Sequence, residues 1–165
     1  LFLAITIKVT SKGSVLYWSE RVGRENVNFM MPKLRTMRSD TPQLATHLMC
    51  DPDEYLSQIG GFLRRTSLDE LPQLWSILKG NMSFVGPRPA LFNQKDLVAL
   101  RTDQGVNRLI PRMTGWAQVN GRDELPIPEK VTLDVEYMER QSFWFDMYIL
   151  WFTLLKVVRQ DEVSH

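Results

Sequence analysis

From Phe143 to Val158, thirteen of sixteen residues are apolar or aromatic, and only Asp146, Thr153 and Lys156 interrupt the run. As a helix it would extend about 24 Å at ~1.5 Å per residue, short of the ~30 Å hydrocarbon core of a bilayer. It cannot span a membrane, and it is too apolar to face water on every side. One solution is a buried core helix. The other is a helix lying in a membrane interface, which suits Trp144, Tyr148 and Trp151 and the basic Lys156 and Arg159 that follow. This segment alone leaves both open. No window of the chain reaches the ~20 apolar residues of a spanning helix. Leu1–Ile7 is a seven-residue apolar stub, either a core strand or the tail of a longer hydrophobic element. It has neither the charged region nor the small-residue cleavage site of a signal peptide.

The 165 residues amount to one domain, long enough to build an apolar core without disulfides or a structural metal. Hydrophobic residues make up 44% and charged ones 24%, which excludes a disordered acidic chain. Twenty Lys and Arg against nineteen Asp and Glu leave a net charge of +1, removing the case for bulk nucleic-acid binding. Cys50 is the only cysteine, so no intrachain disulfide framework exists, and with His47 it supplies at most two metal ligands. A Mg²⁺ held by carboxylates stays open, because that ion asks for oxygen ligands.

Turn residues and periodicity predict one compact, helix-rich α+β unit. Ser14–Trp18 and Asn28–Met31 read as short strands joined by a loop around Arg21–Arg24. Polar residues 38–57 read as a loop with a short helix. A helix is expected from Asp69 to Lys79, stopping at Gly80, with Leu71, Leu74, Trp75 and Leu78 on one face. Gly86-Pro87-Arg88-Pro89 is a stiff break. A further helix is expected from Gln94 to Arg101, a loop from Pro111 to Arg122, and a helix introduced by Pro126 and Pro128 and reaching Gln141.

The chemistry concentrates in Arg64-Arg65-Thr66-Ser67-Leu68-Asp69-Glu70-Leu71-Pro72. Ser67 and Glu70 have capping-box spacing, which makes Glu70 a plain helix-start residue. Neighbouring helical residues point about 100° apart, so Asp69 and Glu70 cannot flank one bond as a glycosidase pair does. One can face a substrate while the other turns to a metal or a proton. Spacing alone favours capping; the cations nearby favour chemistry. Lys33 and Arg35 share one side of a strand. Arg88 is clamped between two prolines and so is presented in few conformations, as bidentate binding of phosphate oxygens requires. Carboxylates, arginines and an oxygen-bound Mg²⁺ fit phosphoryl chemistry, where positioning and charge neutralisation dominate. Neither a G-x-x-x-x-G-K-[ST] loop nor a G-x-G-x-x-G fingerprint is present.

Five blocks occur in order: Arg21-Val22-Gly23, Lys33-Leu34-Arg35-Thr36-Met37, Thr66-Ser67-Leu68-Asp69-Glu70-Leu71-Pro72-Gln73-Leu74, Met82-Ser83-Phe84-Val85-Gly86-Pro87-Arg88-Pro89 and Thr114-Gly115-Trp116-Ala117-Gln118-Val119-Asn120-Gly121-Arg122. With them the chain resembles the bacterial sugar transferases, the monotopic polyprenyl-phosphate phosphoglycosyl transferases, from about Ile7 to its C-terminus. The resemblance implies a single catalytic domain over 1–165 with a small β-hairpin and amphipathic membrane-interface helices. Residues 1–7 would be the remnant of an N-terminal hydrophobic membrane element. It implies transfer of sugar-1-phosphate from a UDP-sugar to polyprenyl phosphate with release of UMP, an initiating step of bacterial surface glycan synthesis such as lipopolysaccharide or exopolysaccharide. The setting would be the cytoplasmic face of the inner membrane, and a homo-oligomer stays open.

By the same resemblance Asp69 would be the nucleophile that forms a covalent phospho-sugar intermediate. Glu70 would bind Mg²⁺ or assist proton transfer. Lys33, Arg35, Arg64 and Arg88 would hold substrate phosphates, and Arg122 the nucleotide. Asp134 and Asp146 would support the metal, or else form structural ion pairs. The alternative is a non-catalytic membrane-associated module that keeps the fold. The chain departs from the family pattern with Asn81 for Asp, Leu34 for Phe, and Ile110-Pro111-Arg112 where Arg-Pro-Gly is usual. Arg112 in place of glycine argues against a tight turn and for an added cation near the membrane or substrate.

Overall fold

The computed structural model describes residues 2–10, 13–37, 55–121 and 125–159. The chain divides into two compact units, one of Leu1–Trp18 with Pro32–Pro72 and one of Ser19–Met31 with Gln73–His165. The mixture of helices with a small antiparallel hairpin is the α+β class expected from the sequence.

The first unit is built on α1 (Phe2–Thr10), the outer ends of a hairpin, and α2 (Gly60–Arg65). The apolar stub is therefore helical rather than a core strand. Leu3 and Ile7, four residues apart, lie on one helical face, and Ile7 is fully buried with Leu34 and Leu63. Strands β1 (Leu16–Val22) and β2 (Asn28–Leu34) pair in the hairpin. Gly60 admits the start of α2 against the preceding strand end: a Cβ there would stand 2.0 Å from the Thr36 carbonyl oxygen. The expected loop over 38–57 falls mainly outside the described residues, as do His47 and Cys50.

In the second unit Arg21 and Val22 belong to β1, not to the connecting loop. The Val22 N–H donates to the Ala90 carbonyl at 2.9 Å, and Arg21 bridges Leu91, so tertiary pairing lengthens the strand. The turn is a 3-10 turn over Arg24–Asn26. Strands β3 (Ser83–Val85) and β4 (Arg112–Thr114) pair in parallel, Ser83 beside Arg112 and Val85 beside Thr114. The loop expected from Pro111 thus holds a strand and then a short helix. A three-residue strand has too little periodicity to announce itself; its partner creates it.

Helices α3 (Gln73–Leu78), α4 (Lys95–Asp103), α5 (Trp116–Asn120), α6 (Ile127–Arg140) and α7 (Phe143–Arg159) complete this unit. Two apolar clusters hold it: Val85, Tyr137, Phe145 and Ile149, with Trp116 packed on them, and Ala90, Leu97 and Val131, joined by Val22 and Val135. The C-terminal run is buried on one side and exposed on the other. Phe145 and Ile149 enter the core, while Trp144 (79% exposed), Tyr148, Trp151 and Leu154 face outward. The apolar face expected of this segment turns outward on α3. Gln73 and Ser76 are buried, whereas Leu74, Trp75 and Leu78 (80% exposed) point away from the core. Among the described residues no helix is long and apolar enough to cross a membrane.

Candidate active site

The alternation of β2 continues past its last residue. Leu34 and Thr36 are buried, and Lys33 and Arg35 are half-buried on the opposite side, as their spacing predicts. Arg35 lies over Gly13, where a Cβ would meet its Nη1 at 2.3 Å. From α2, Arg64 Nε donates to Thr36 Oγ1 at 3.1 Å. The chain then turns through Ser67, a non-glycine residue at φ +54°, into a 3-10 turn over Leu68–Glu70. Such a conformation is unfavourable for an L side chain and persists only where neighbours hold it. Here the Ser67 N–H donates to Arg64 O and the Glu70 N–H to Ser67 O, while Leu68 packs onto the Ile7–Leu34–Leu63 cluster.

This turn presents the acidic pair. Glu70 Oε1 accepts from Lys33 Nζ at 2.8 Å, with 17% of the lysine and 15% of the glutamate side chain exposed. Asp69 is buried. Its desolvation pushes the carboxyl pKa up, the neighbouring Lys33 opposes that, the Glu70 charge adds to it, and Arg64 opposes it again. The result is a carboxylate of more than ordinary basicity, with the charges of Lys33 and Arg64 favouring its ionised form.

The helix expected to start at Asp69 does not. Pro72 has no N–H to donate into an α-helical turn, so the chain makes a 3-10 turn, with the Leu71 N–H donating to Leu68 O, and α3 begins only at Gln73. Nor does a capping box form. The Ser67 side chain makes no cap bond, and Glu70 turns to Lys33 instead.

The remaining candidates belong to the second unit or lie outside the described residues. Arg88 is half-buried in the segment following β3. On α6, Asp134 is almost fully buried; its Oδ2 accepts from Arg101 Nε and Nη2 at 2.9 and 2.7 Å. Asp146 Oδ1 accepts from the Tyr137 hydroxyl at 2.8 Å, and that hydroxyl in turn accepts from Arg112 Nη1 at 2.6 Å. Of the two roles the sequence allowed these acids, the structure shows the ion pair. Arg122 lies outside the described residues.

Arg112 is a correction. Instead of offering a cation to membrane or substrate, it buries its guanidinium over the Tyr137 ring, while its backbone extends in β4 without a tight turn. Gly86 opposite, at φ +146°, makes the room, since a Cβ there would meet Arg112 Cδ at 2.4 Å.

Two further residues escaped the sequence reading. Thr36 stands in a quoted block and needed only its proximity to Arg64 to be noticed. Arg101 finds Asp134 thirty-three positions away, and no local spacing reports such a pair.

The implied Mg²⁺ can be tested against these donors. Magnesium takes one or two carboxylates and completes its shell with water and substrate phosphates. Glu70, an oxygen donor that keeps some solvent exposure, fits this. Asp134 does not, because its Oδ2 already accepts two arginine bonds and only 3% of its side chain is exposed. Among the described residues no three His, Cys, Asp or Glu side chains gather as a metal cluster.

Comparison with known proteins agrees with this arrangement of motifs. The chain is 37% identical to the uncharacterized sugar transferase EpsL of Bacillus subtilis (strain 168), over 99% of this chain and 80% of the relative. It is 37% identical to an undecaprenyl-phosphate glucose phosphotransferase of Komagataeibacter xylinus, over 94% of this chain and 31% of the relative. It is 35% identical to a UDP-glucose:undecaprenyl-phosphate glucose-1-phosphate transferase of Escherichia coli (strain K12), over 93% of this chain and 35% of the relative. The chain thus spans about a third of the length of the latter two. The profile of the family described as bacterial sugar transferase matches residues 1–160, and the chain belongs to that family.

Proposed function

We propose that this chain is the catalytic part of a transferase that moves sugar-1-phosphate from a UDP-sugar to polyprenyl phosphate at a membrane surface. The observation that carries the reading is the buried Asp69 carboxylate, raised in basicity by desolvation and accompanied by Lys33, Arg64 and Glu70 in one unit. The names of the relatives, glucose and galactose phosphotransferases acting on undecaprenyl phosphate, support the same reading.

An Asp69 oxygen attacks the sugar-bearing phosphorus. The new O–P bond forms as the bond to the bridging oxygen breaks, and UMP leaves with that oxygen. A phosphate oxygen of the polyprenyl phosphate then attacks the same phosphorus, and the Asp69–phosphorus bond breaks to return the carboxylate. Two displacements replace one between two anions, which is the advantage of a covalent route. Lys33 and Arg64 neutralise charge gathering on the non-bridging oxygens, as phosphoryl transfer requires. Arg88 binds the donor diphosphate by a planar, two-pronged contact. Glu70 would hold Mg²⁺, whose part when bound is to neutralise diphosphate charge. The outward aromatic faces of α7 and α3 suit a bilayer interface, where rings of Trp and Tyr are favoured.

The test is UMP release from a panel of UDP-sugars by the full-length protein with polyprenyl phosphate and Mg²⁺, alongside an Asp69→Asn variant. Release by the parent and its loss in the variant, with a phospho-sugar adduct trapped on Asp69, is the expected result. Liposome binding by both proteins, with no UMP from either, would make the chain a non-catalytic membrane module.

A further inference from the structure

From Pro87 to Ala90 every backbone carbonyl is engaged. Pro87 O accepts from the Arg112 N–H at 2.9 Å, and Ala90 O from the Val22 N–H at 2.9 Å. Arg88 O accepts from Arg101 Nη1 at 2.8 Å, and Pro89 O from Arg21 Nη1 at 3.3 Å. A segment with two prolines lacks half of its own N–H donors and cannot hold itself in a regular element. Its place is therefore set from outside, through its acceptors.

Two of these four donors are backbone groups that almost any residue would supply. The other two depend on side-chain identity, and Arg101 is the better placed. It reaches the carbonyl of Arg88 itself with a short, charge-assisted bond. Its other two nitrogens are locked onto Asp134 Oδ2, so the guanidinium has no freedom to follow a moving loop. Arg101 arises from α4 and Asp134 from α6, which ties the Arg88 carbonyl to two packed helices.

We propose that Arg101, anchored by Asp134, is a positioning residue for Arg88: it holds the Arg88 main chain so that this side chain meets the donor diphosphate in one orientation. The inference rests on the reading that Arg88 binds donor phosphate. Arg101 is buried, and its effect on the reaction runs through Arg88. A displacement of about 1 Å at a binding group is enough to weaken a reaction up to about a hundredfold.

The experiment is a double-mutant cycle of Arg101→Met and Arg88→Ala in the full-length protein, read by UMP release from a UDP-hexose that the parent turns over. Arg101→Met should raise the KM for the donor about tenfold and leave kcat within about threefold. In the Arg88→Ala background the same substitution should change KM by less than about twofold, because its route of action is already gone. Additive effects, or an unchanged KM in folded Arg101→Met, overturn the inference alone. Unchanged kinetics in Arg88→Ala overturn the phosphate-binding reading and this inference with it. If Arg101→Met fails to fold, Arg101→Lys enters the same cycle; failure of both to fold makes Arg101 a structural residue and overturns the proposal.

Discussion

Lys33–Glu70 and Arg101–Asp134 are both close cation–carboxylate pairs, at 2.8 and 2.7 Å, yet they are built differently. Arg101 sets two nitrogens of a planar fork on one oxygen and the third on a main-chain carbonyl, with 11% and 3% of the two side chains exposed. Lys33 donates a single bond to Glu70 from a flexible stem, nearer to solvent. A rotatable ammonium can turn from a carboxylate to an arriving phosphate; a locked guanidinium cannot without rebuilding its surroundings. The first arrangement suits a site whose charges change partners during a reaction. The second suits a scaffold.

The largest expected contrast comes from the two aspartates. Asp69→Asn should lower UMP release at least about a thousandfold, since it removes the proposed nucleophile. It should leave the urea midpoint unchanged or slightly raised, because a desolvated carboxylate becomes a neutral amide. Asp134→Ala should do the reverse in denaturation, losing about 3–5 kcal/mol by leaving Arg101 charged and buried without its partner. Equal destabilisation by both would break the distinction between site and scaffold.

A smaller effect concerns pH. The folded-state pKa of Asp69 is raised, so its ionised form is lost as pH falls through a value above the ordinary carboxylate range. The acid limb of kcat/KM should lie there, and Lys33→Met should move it higher, since the Lys33 charge lowers this pKa. The sign for stability is opposite. The native state binds the extra proton, so the contribution of Asp69 to folding is greatest below its unfolded pKa and is lost as pH rises through the folded one. A limb unmoved in Lys33→Met would separate that lysine from the nucleophile.

The smallest effect tests the scaffold again. Tyr137→Phe removes the acceptor of Arg112 and a donor to Asp146, and should lower stability by about 1–2 kcal/mol, read by thermal unfolding, with the donor KM unchanged. A rise in KM would bring this network into the site.

The site was legible in the sequence where its residues stand in short ordered blocks. Lys33 and Arg35 follow strand alternation, and the Asp69-Glu70 pair stands in the block that carries the resemblance. What escaped was partnership. The spacing of Ser67 and Glu70 suggested a cap, but the half-buried Lys33 competes for the same carboxylate and wins. Arg112 reads as an added cation near the membrane or substrate, whereas Gly86 and Tyr137 make a buried place for it.

The sequence by itself determined the motif order, the identity of the acidic pair, the hairpin, helix α6 and the apolar C-terminal run that falls short of a membrane span. These follow from residue type and local period. Only the tertiary structure decided that this run turns Phe145 and Ile149 inward while Trp144 and Trp151 face out, and that α3 shows its apolar side to the exterior. It also decided that Asp134 and Asp146 are arginine and tyrosine partners. A period tells which side chains share a face, not what that face meets, and an ion pair between distant residues exists only once the chain has brought their helices together.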